Sequence, residues 1–148
     1  MDSTSERYGP PEQVYVEFEW WDGPRVGIAD IGGVPHRFRS VFDESGDDYL
    51  DTFIVWSIPP SELELEIAQW CIFVEWNTRF EAGLTDTHSH PGQGGIDARY
   101  DELTTRLARA RDEAPASARR ARAQLQPIER EQRYAPSGPA YALCWQVL

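Results

Sequence analysis

The alternation of side chains from residue 14 to residue 21 most constrains what this chain can fold into. Its apolar face would consist of Val14, Val16, Phe18 and Trp20. Its opposite face would hold Tyr15, Glu17, Glu19 and Trp21. A period of two residues is typical of a β-strand with one buried face. We therefore predict a strand here, with the indole of either Trp20 or Trp21 in the core and the other outside it.

Three further strands are predicted downstream, at about 26–31, 34–42 and 49–58. The turn sequence Asp22-Gly23-Pro24-Arg25 separates the first two strands, and Gly32-Gly33 supplies the positive φ angles of a two-residue hairpin. Short connections between successive strands indicate an antiparallel meander.

A helix is predicted directly after the meander, because Pro59-Pro60 ends the last strand. Ser61 and Glu64 have the spacing of a capping box, and Gly83 is the expected C-cap of a helix that runs to about Glu81. Apolar residues cover more than half of its circumference, which is typical of a central helix with neighbours on both sides.

The remaining third of the chain is predicted to add helices and one more strand. A second helix is expected from about Asp97 to Pro115, and the Ala- and Arg-rich segment 116–126 is also compatible with a helix. Residues 140–148 read as a strand that returns to the sheet. The predicted fold is α+β: an antiparallel four- to five-stranded meander packed on a long central helix, with further C-terminal helices and a returning C-terminal strand. We expect one domain over 1–148, with 1–12 as a flexible N-terminal tail.

Charge is distributed unevenly along the chain. Residues 1–98 carry 19 Asp and Glu against 5 Arg, and they hold five of the six Trp and all six Phe. Acidic and large apolar surface in one region favours a face that meets a basic protein partner. The net charge of −11 repels nucleic acid, so the arginines between 106 and 122 are expected to form a solvated or Glu-paired helix face.

The expected compartment is the bacterial cytoplasm. All 14 basic residues are Arg, which we interpret as the codon bias of a high-GC genome. Cys71 and Cys144 each lie in an apolar run and are predicted to be buried, reduced thiols. No apolar run approaches the ~20 residues of a membrane span, and residues 1–11 lack the apolar stretch of a signal peptide.

His88-Ser89-His90-Pro91 resembles the His-x-His-Pro segment of the JAMM metalloprotease family, in which two imidazoles and a downstream aspartate hold zinc. The resemblance covers four residues, and Arg99 and Glu102 stand near the places of the family's downstream Ser and Asp. We therefore predict a solvated loop, no metal site and no cofactor.

Several polar residues of the first three strands and their turns are candidate ligands for a small anionic or polar molecule. They are Asp22, Arg25, Asp30, His36, Arg37 and Arg39. A hydrogen-bonded core histidine is the competing interpretation of His36. Glu75 is a further candidate, because it lies in an apolar stretch of the predicted central helix. The competing interpretation of Glu75 is a salt bridge to Arg79, four residues later, which the pattern favours. Trp20 and Trp21 are candidate anchors of an interface.

These observations favour a small acidic protein, non-enzymatic, that binds another macromolecule as an immunity protein, inhibitor or adaptor does. The alternative is an enzyme or small-ligand-binding protein whose pocket lies between the sheet and the central helix and uses His36 and Glu75. Either a monomer or a homodimer that pairs through Trp20 or Trp21 fits the sequence.

Overall fold

The computed structural model describes residues 8–42 and 49–148, and within them the chain forms eight strands and two α-helices. The elements, in order, are β1 Glu12–Trp20, β2 Pro24–Ile31, β3 Val34–Phe42, β4 Tyr49–Ser57, α1 Pro60–Glu81, α2 Ala98–Asp112, β5 Arg119–Pro127, β6 Tyr134–Ala135, β7 Gly138–Pro139 and β8 Tyr141–Val147. The predicted mixture of an antiparallel sheet with helices is confirmed.

The sheet is a closed barrel in the order β1-β2-β3-β4-β5-β8, which corrects the prediction of an open meander. β5 pairs with both β4 and β8. β8 in turn pairs with β1, where Glu12 lies opposite Leu143 and Gln13 opposite Ala142. The predicted C-terminal strand therefore exists as β8, and its pairing with β1 closes the barrel.

The prediction of a helix over 116–126 is wrong, because β5 occupies most of this segment. Ala121 and Ala123 are buried inside the barrel, while Arg120 and Arg122 are exposed. Small side chains at alternate positions let β5 close a narrow barrel, and this burial outweighs the helix propensity of Ala and Arg.

The buried apolar residues form two clusters, one inside the barrel and one on its outer wall. The interior cluster takes residues from all six barrel strands: Val14, Ala29, Ile31, Phe38, Phe53, Val55, Ala121, Ala123, Tyr141, Leu143 and Trp145. The second cluster joins β1, β2 and the end of β4 to α1: Val16, Ile28, Trp56, Ile58, Trp70 and Val74. α1 thus packs against the outside of the barrel, with α2 against α1, and is not a central helix.

The predicted end of α1 at Glu81 is confirmed, but the C-cap is Ala82 and not the predicted Gly83. Gly83 follows the helix with φ 75°, and its N–H donates to the Phe80 carbonyl at 3.0 Å. The capping box is wrong: the N-cap is Pro59, no side chain caps it, and Pro60 is already the first helical residue. Proline fits this position because its missing N–H would have no partner within the helix.

Part of the predicted N-terminal tail is held against the barrel, and residues 1–7 lie outside the described residues. The Gly9 N–H donates to the Trp145 carbonyl at 2.8 Å, and the Glu12 carboxylate accepts hydrogen bonds from the N–H groups of Gly32 and Gly33. Cys71 and Cys144 are free thiols and are only partly buried. No helix in the described part of the chain is long and apolar enough to cross a lipid bilayer.

Candidate functional site

A cavity of about 210 Å³ lies between β1 and α1. We call it the barrel–helix cavity. Its lining comes from β1, α1, the segment between the helices, α2 and β6: Val16, Glu17, Phe18, Glu66, Gln69, Trp70, Phe73, His90, Tyr100 and Tyr134. A pocket between sheet and helix matches the place of the alternative prediction, but neither His36 nor Glu75 lines it.

Glu17 contributes a carboxylate to this lining although its side chain is only 5% exposed. The hydroxyl of Tyr141 donates to Oε1 at 3.0 Å, and the hydroxyl of Tyr134 donates to Oε2 at 3.1 Å. Nη2 of Arg133 lies 3.4 Å from each oxygen. Two phenols therefore fix the carboxylate, while the arginine contact is long.

The two tyrosines remain hydrogen-bond donors over the whole physiological pH range. Burial raises the pKa of Tyr141 and of Tyr134, and the negative charge of Glu17 raises each pKa further. A neutral phenol keeps its O–H, so both hydroxyls donate to Glu17 near neutral pH.

Arg133 lies over two aromatic rings beside Glu17. Its Cζ is 4.6 Å from the centre of the Trp20 ring and 5.1 Å from that of Tyr134. These are cation–π distances. Because the Arg133 side chain is 46% exposed, it covers Glu17 from the solvent side rather than from within the protein.

A buried ion network links the barrel wall to both helices. Glu66 has no exposed side-chain surface, and its oxygens lie 2.6 Å from Nη2 of Arg37 and 2.6 Å from Nη2 of Arg111. Glu62 lies 2.9 Å from Nε of Arg37. Two carboxylates and two guanidinium groups balance in charge, as a buried cluster requires.

Gln69 extends this network from α1 to α2. Its amide nitrogen donates to the Tyr100 carbonyl at 2.9 Å and to Oγ1 of Thr104 at 2.7 Å, and its amide oxygen accepts from Arg111. The Arg111 guanidinium also lies 4.6 Å from the ring centre of Phe18. The network thereby holds a residue of β1 at the edge of the cavity.

Aromatic rings form the other wall. Trp70, Phe73 and Tyr134 contact one another with ring centres 5.2 to 5.6 Å apart. The indole N–H of Trp70 donates to the Ala135 carbonyl at 2.7 Å, so its hydrogen bond is satisfied. This wall is therefore rigid and apolar.

His90 completes the lining between the two helices. Its Nδ1 accepts a hydrogen bond from the Gly92 N–H at 2.9 Å, so in the neutral ring Nε2 carries the proton. Its ring is 4.4 Å from that of Trp76. His88, by contrast, is 89% exposed. Among the described residues, no three His, Cys, Asp or Glu side chains are placed to hold a metal ion.

A second cavity, of about 270 Å³, lies on the other side of Phe18. Its lining is Phe18, Val26, Gly27, Arg37, Phe38, Arg39, Trp56, Arg111 and Asp112. Of the predicted candidates, Arg37 and Arg39 meet here, and the Arg39 guanidinium lies 5.4 Å from the Trp56 ring centre. Phe18 thus separates the two cavities.

Trp20 and Trp21 are both exposed, by 42% and 67%, so the expectation that one indole enters the core is wrong. Irregular register in β1, between Glu17 and Glu19 and again before Trp20, breaks the strict alternation. Trp20 instead contacts Tyr141, with ring centres 5.5 Å apart.

Asp22 and Arg25 shape the turn after β1. Asp22 has φ 53°, and its carbonyl accepts from Nη2 of Arg25 at 2.8 Å, while Nε of Arg25 donates to the Trp21 carbonyl at 2.6 Å. The buried Arg25 therefore braces the backbone that carries the two indoles.

The last three candidates lie apart from both cavities. Both Asp30 oxygens accept from the Tyr15 hydroxyl, at 2.9 and 3.0 Å. His36 is buried, and its Nδ1 lies 2.6 Å from the Val34 carbonyl, as the interpretation of a core histidine expects. Glu75 is exposed and lines a separate groove beside Trp76.

Comparison of the chain with protein-family models, with curated proteins and with solved structures found no match to any of them.

Proposed function

We propose that this protein acts by binding a basic partner protein, as an immunity protein, inhibitor or adaptor does. The observation that carries the proposal is the exposure of three large aromatic side chains at the end of β1. Phe18, Trp20 and Trp21 are 37%, 42% and 67% exposed. We call these three residues the aromatic edge. Exposed Trp is costly in water and is enriched among the residues that dominate protein interfaces.

The aromatic edge is held in place before any partner arrives. The Arg111 guanidinium lies over Phe18, and the Arg133 guanidinium lies over Trp20. Arg25 braces the turn that carries Trp21. A surface that is already ordered loses less conformational entropy on binding, which favours affinity.

Charge supports a basic partner. Residues 1–98, which carry the aromatic edge, have the 19 acidic residues against 5 Arg, and Glu19 and Asp22 are exposed beside the indoles. A net excess of acidic side chains attracts a basic partner over long range and raises the association rate constant.

The experiment captures partners from a lysate of the host cell at low salt and compares the wild type with two variants. Trp21→Ser removes the most exposed indole, and Leu84→Ser removes an exposed side chain of the segment after α1. We expect one basic partner to be retained by the wild type and by Leu84→Ser. Loss of a central hot-spot residue costs at least ~2 kcal/mol, so Trp21→Ser should bind about 30-fold more weakly.

The purified partner then tests the electrostatic argument by stopped-flow fluorescence. The screening length falls from about 10 Å at 0.1 M salt to about 3 Å at 1 M salt, so the association rate constant should fall steeply across this range. A rate constant unchanged by salt, or a partner that binds Trp21→Ser as tightly as the wild type, would contradict the proposal.

A second candidate function is the binding or conversion of a small molecule in the barrel–helix cavity. It is favoured by the buried Glu17 carboxylate and the rigid aromatic wall, since small-molecule sites combine apolar linings with a few placed polar groups. The test is a screen of a small-molecule library by thermal shift. A compound that raises the melting temperature of the wild type but not that of Glu17→Gln would support this function over the first.

A further inference from the structure

The barrel–helix cavity has the chemistry of a cation site. Its described lining contains two carboxylates, those of Glu17 and Glu66, the amide of Gln69 and no arginine. The arginines that balance these carboxylates, Arg37, Arg111 and Arg133, are not among the lining residues. Because the Glu66 side chain is fully buried and paired with Arg37 and Arg111, a cation in the cavity would meet the Glu17 carboxylate and the aromatic rings, and both attract positive charge.

Building on the proposed function, we infer that this cavity receives a guanidinium or primary ammonium group from a side chain of the basic partner. The group would form charge-assisted hydrogen bonds with Glu17 and lie against the rings of Trp70, Phe73 and Tyr134. Phe18 belongs both to the cavity lining and to the aromatic edge, so a partner on that edge reaches the cavity opening.

Glu17 retains the capacity to bind such a group. An ionised carboxylate has about four lone-pair positions. The hydroxyls of Tyr134 and Tyr141 each occupy one. The two contacts from Arg133, at 3.4 Å, are much longer than the 2.7–2.9 Å of a strong charge-assisted bond. Glu17 is thus oriented by two phenols, with its remaining positions weakly used.

Arg133 shows within this chain what the site recognises. Its guanidinium already combines the Glu17 carboxylate with the faces of Trp20 and Tyr134. A partner's basic side chain would take over part of this arrangement and would compete with Arg133 for Glu17. At Glu17, Arg133 is therefore an internal competitor for a partner's basic group, while its contact with Trp20 orders the aromatic edge.

The size of the cavity agrees with a single side chain. A cavity of about 150 Å³ accommodates benzene. The barrel–helix cavity, at about 210 Å³, is somewhat larger. The arginine side chain beyond Cα, a guanidinium with three methylene groups, has one non-hydrogen atom more than benzene.

The test uses the full chain and three probes in isothermal titration calorimetry. The first is an acidic-residue-free hexapeptide with one central arginine. The second is the same peptide with citrulline, which replaces the guanidinium by a neutral urea. The third is agmatine, a free guanidinium compound. Quenching of tryptophan fluorescence gives a second readout, because Trp70 lines the cavity.

Three variants accompany the wild type. Glu17→Gln removes the charge that the guanidinium would meet, and binding of the arginine peptide should weaken at least tenfold. Arg133→Ala removes the internal competitor, and binding should tighten about tenfold. Arg106→Ala, on the exposed face of α2, is the matched control and should change nothing. Arg133→Ala alters a half-exposed side chain, so it remains informative if Glu17→Gln fails to fold.

Each outcome decides the inference. Binding of the arginine peptide that exceeds that of the citrulline peptide, weakens in Glu17→Gln and tightens in Arg133→Ala supports it. Equal affinity for agmatine and the peptide overturns the assignment to a partner's side chain. Equal binding of both peptides, or no response to Arg133→Ala, overturns the inference as a whole. The proposed function survives that failure if Trp21→Ser still weakens the natural partner while Glu17→Gln does not.

Discussion

Replacing Glu66 by glutamine tests how the helices are fastened to the barrel. The Glu66 side chain is fully buried, and its oxygens lie 2.6 Å from nitrogens of Arg37 and Arg111. Glu66→Gln keeps the size of the side chain but removes its charge, which leaves Glu62 as the one carboxylate in this cluster of described residues. Removing one partner of a buried ion pair costs about 3 to 5 kcal/mol.

The free energy of unfolding is expected to fall by about 3 kcal/mol, at the lower end of that range. Arg37 keeps its contact with Glu62, and the Arg111 side chain, 22% exposed, can recover some hydration. A chain of this size loses about 2 to 4 °C of melting temperature for each kcal/mol. The melting temperature should therefore fall by roughly 10 °C.

Urea denaturation followed by tryptophan fluorescence measures this loss, because urea is uncharged and does not screen the ion network. Glu102→Gln is the control: Glu102 pairs with Arg99 and Arg106 on the open surface of α2, and its loss should cost less than about 1 kcal/mol. Adding Arg111→Met to Glu66→Gln should restore part of the stability, because the uncompensated charge is then gone. Equal losses in Glu66→Gln and Glu102→Gln would refute the reasoning.

Two further outcomes are expected. In Gly27→Ala the new Cβ would lie 2.4 Å from the Val16 carbonyl oxygen, so the free energy of unfolding measured in urea should fall by about 1 to 3 kcal/mol. Gly32→Ser is the control, because the space around its Cβ position is open. Its free energy of unfolding should fall only by the cost of a non-glycine residue at positive φ. Burial and the Asp30 hydrogen bond raise the pKa of Tyr15 from 10.0 to about 12, so its protonated form favours the folded state and stability should fall as the pH rises from about 10 to 12. Unfolding free energies measured at stepped alkaline pH should fall less steeply in Tyr15→Phe, and an identical slope would contradict the assigned role.

Strands and helices are predicted well from the sequence where the hydrophobic pattern and the glycine or proline residues that end an element agree. The alternation before Asp22-Gly23 and the glycine after α1 place β1 and the end of the helix within about two residues of their observed limits. In β5 the same alternation is present, with Ala121 and Ala123 between arginines and glutamines, but its small apolar residues carry little signal against their helix propensity.

Most of the candidate site cannot be predicted from the sequence, because the residues that form it are far apart along the chain. Glu17 falls on the polar face of the predicted strand, yet Tyr134 and Tyr141, more than 100 residues later, cover it. Glu66 reads as one of several acidic residues near a helix start, and only the packing of α1 on the barrel buries it beside Arg37. Arg37 and Arg39 are among the predicted candidates because they are polar residues of the third predicted strand, and both line the second cavity.

The seam between β1 and β8 has consequences for how the molecule assembles. It consists of two residue pairs, fewer than any other pair of neighbouring barrel strands, and it joins segments about 130 positions apart. Closing so large a loop is slow, and short seams are where local opening begins. During synthesis β1 to β4 emerge early and can form a sheet in which the outer edge of β1 is unpaired. That edge stays unpaired until residues 141–147 have left the ribosome and form β8. Among the hydrogen-bonded amides of the described barrel strands, exchange with solvent should therefore be fastest along this seam.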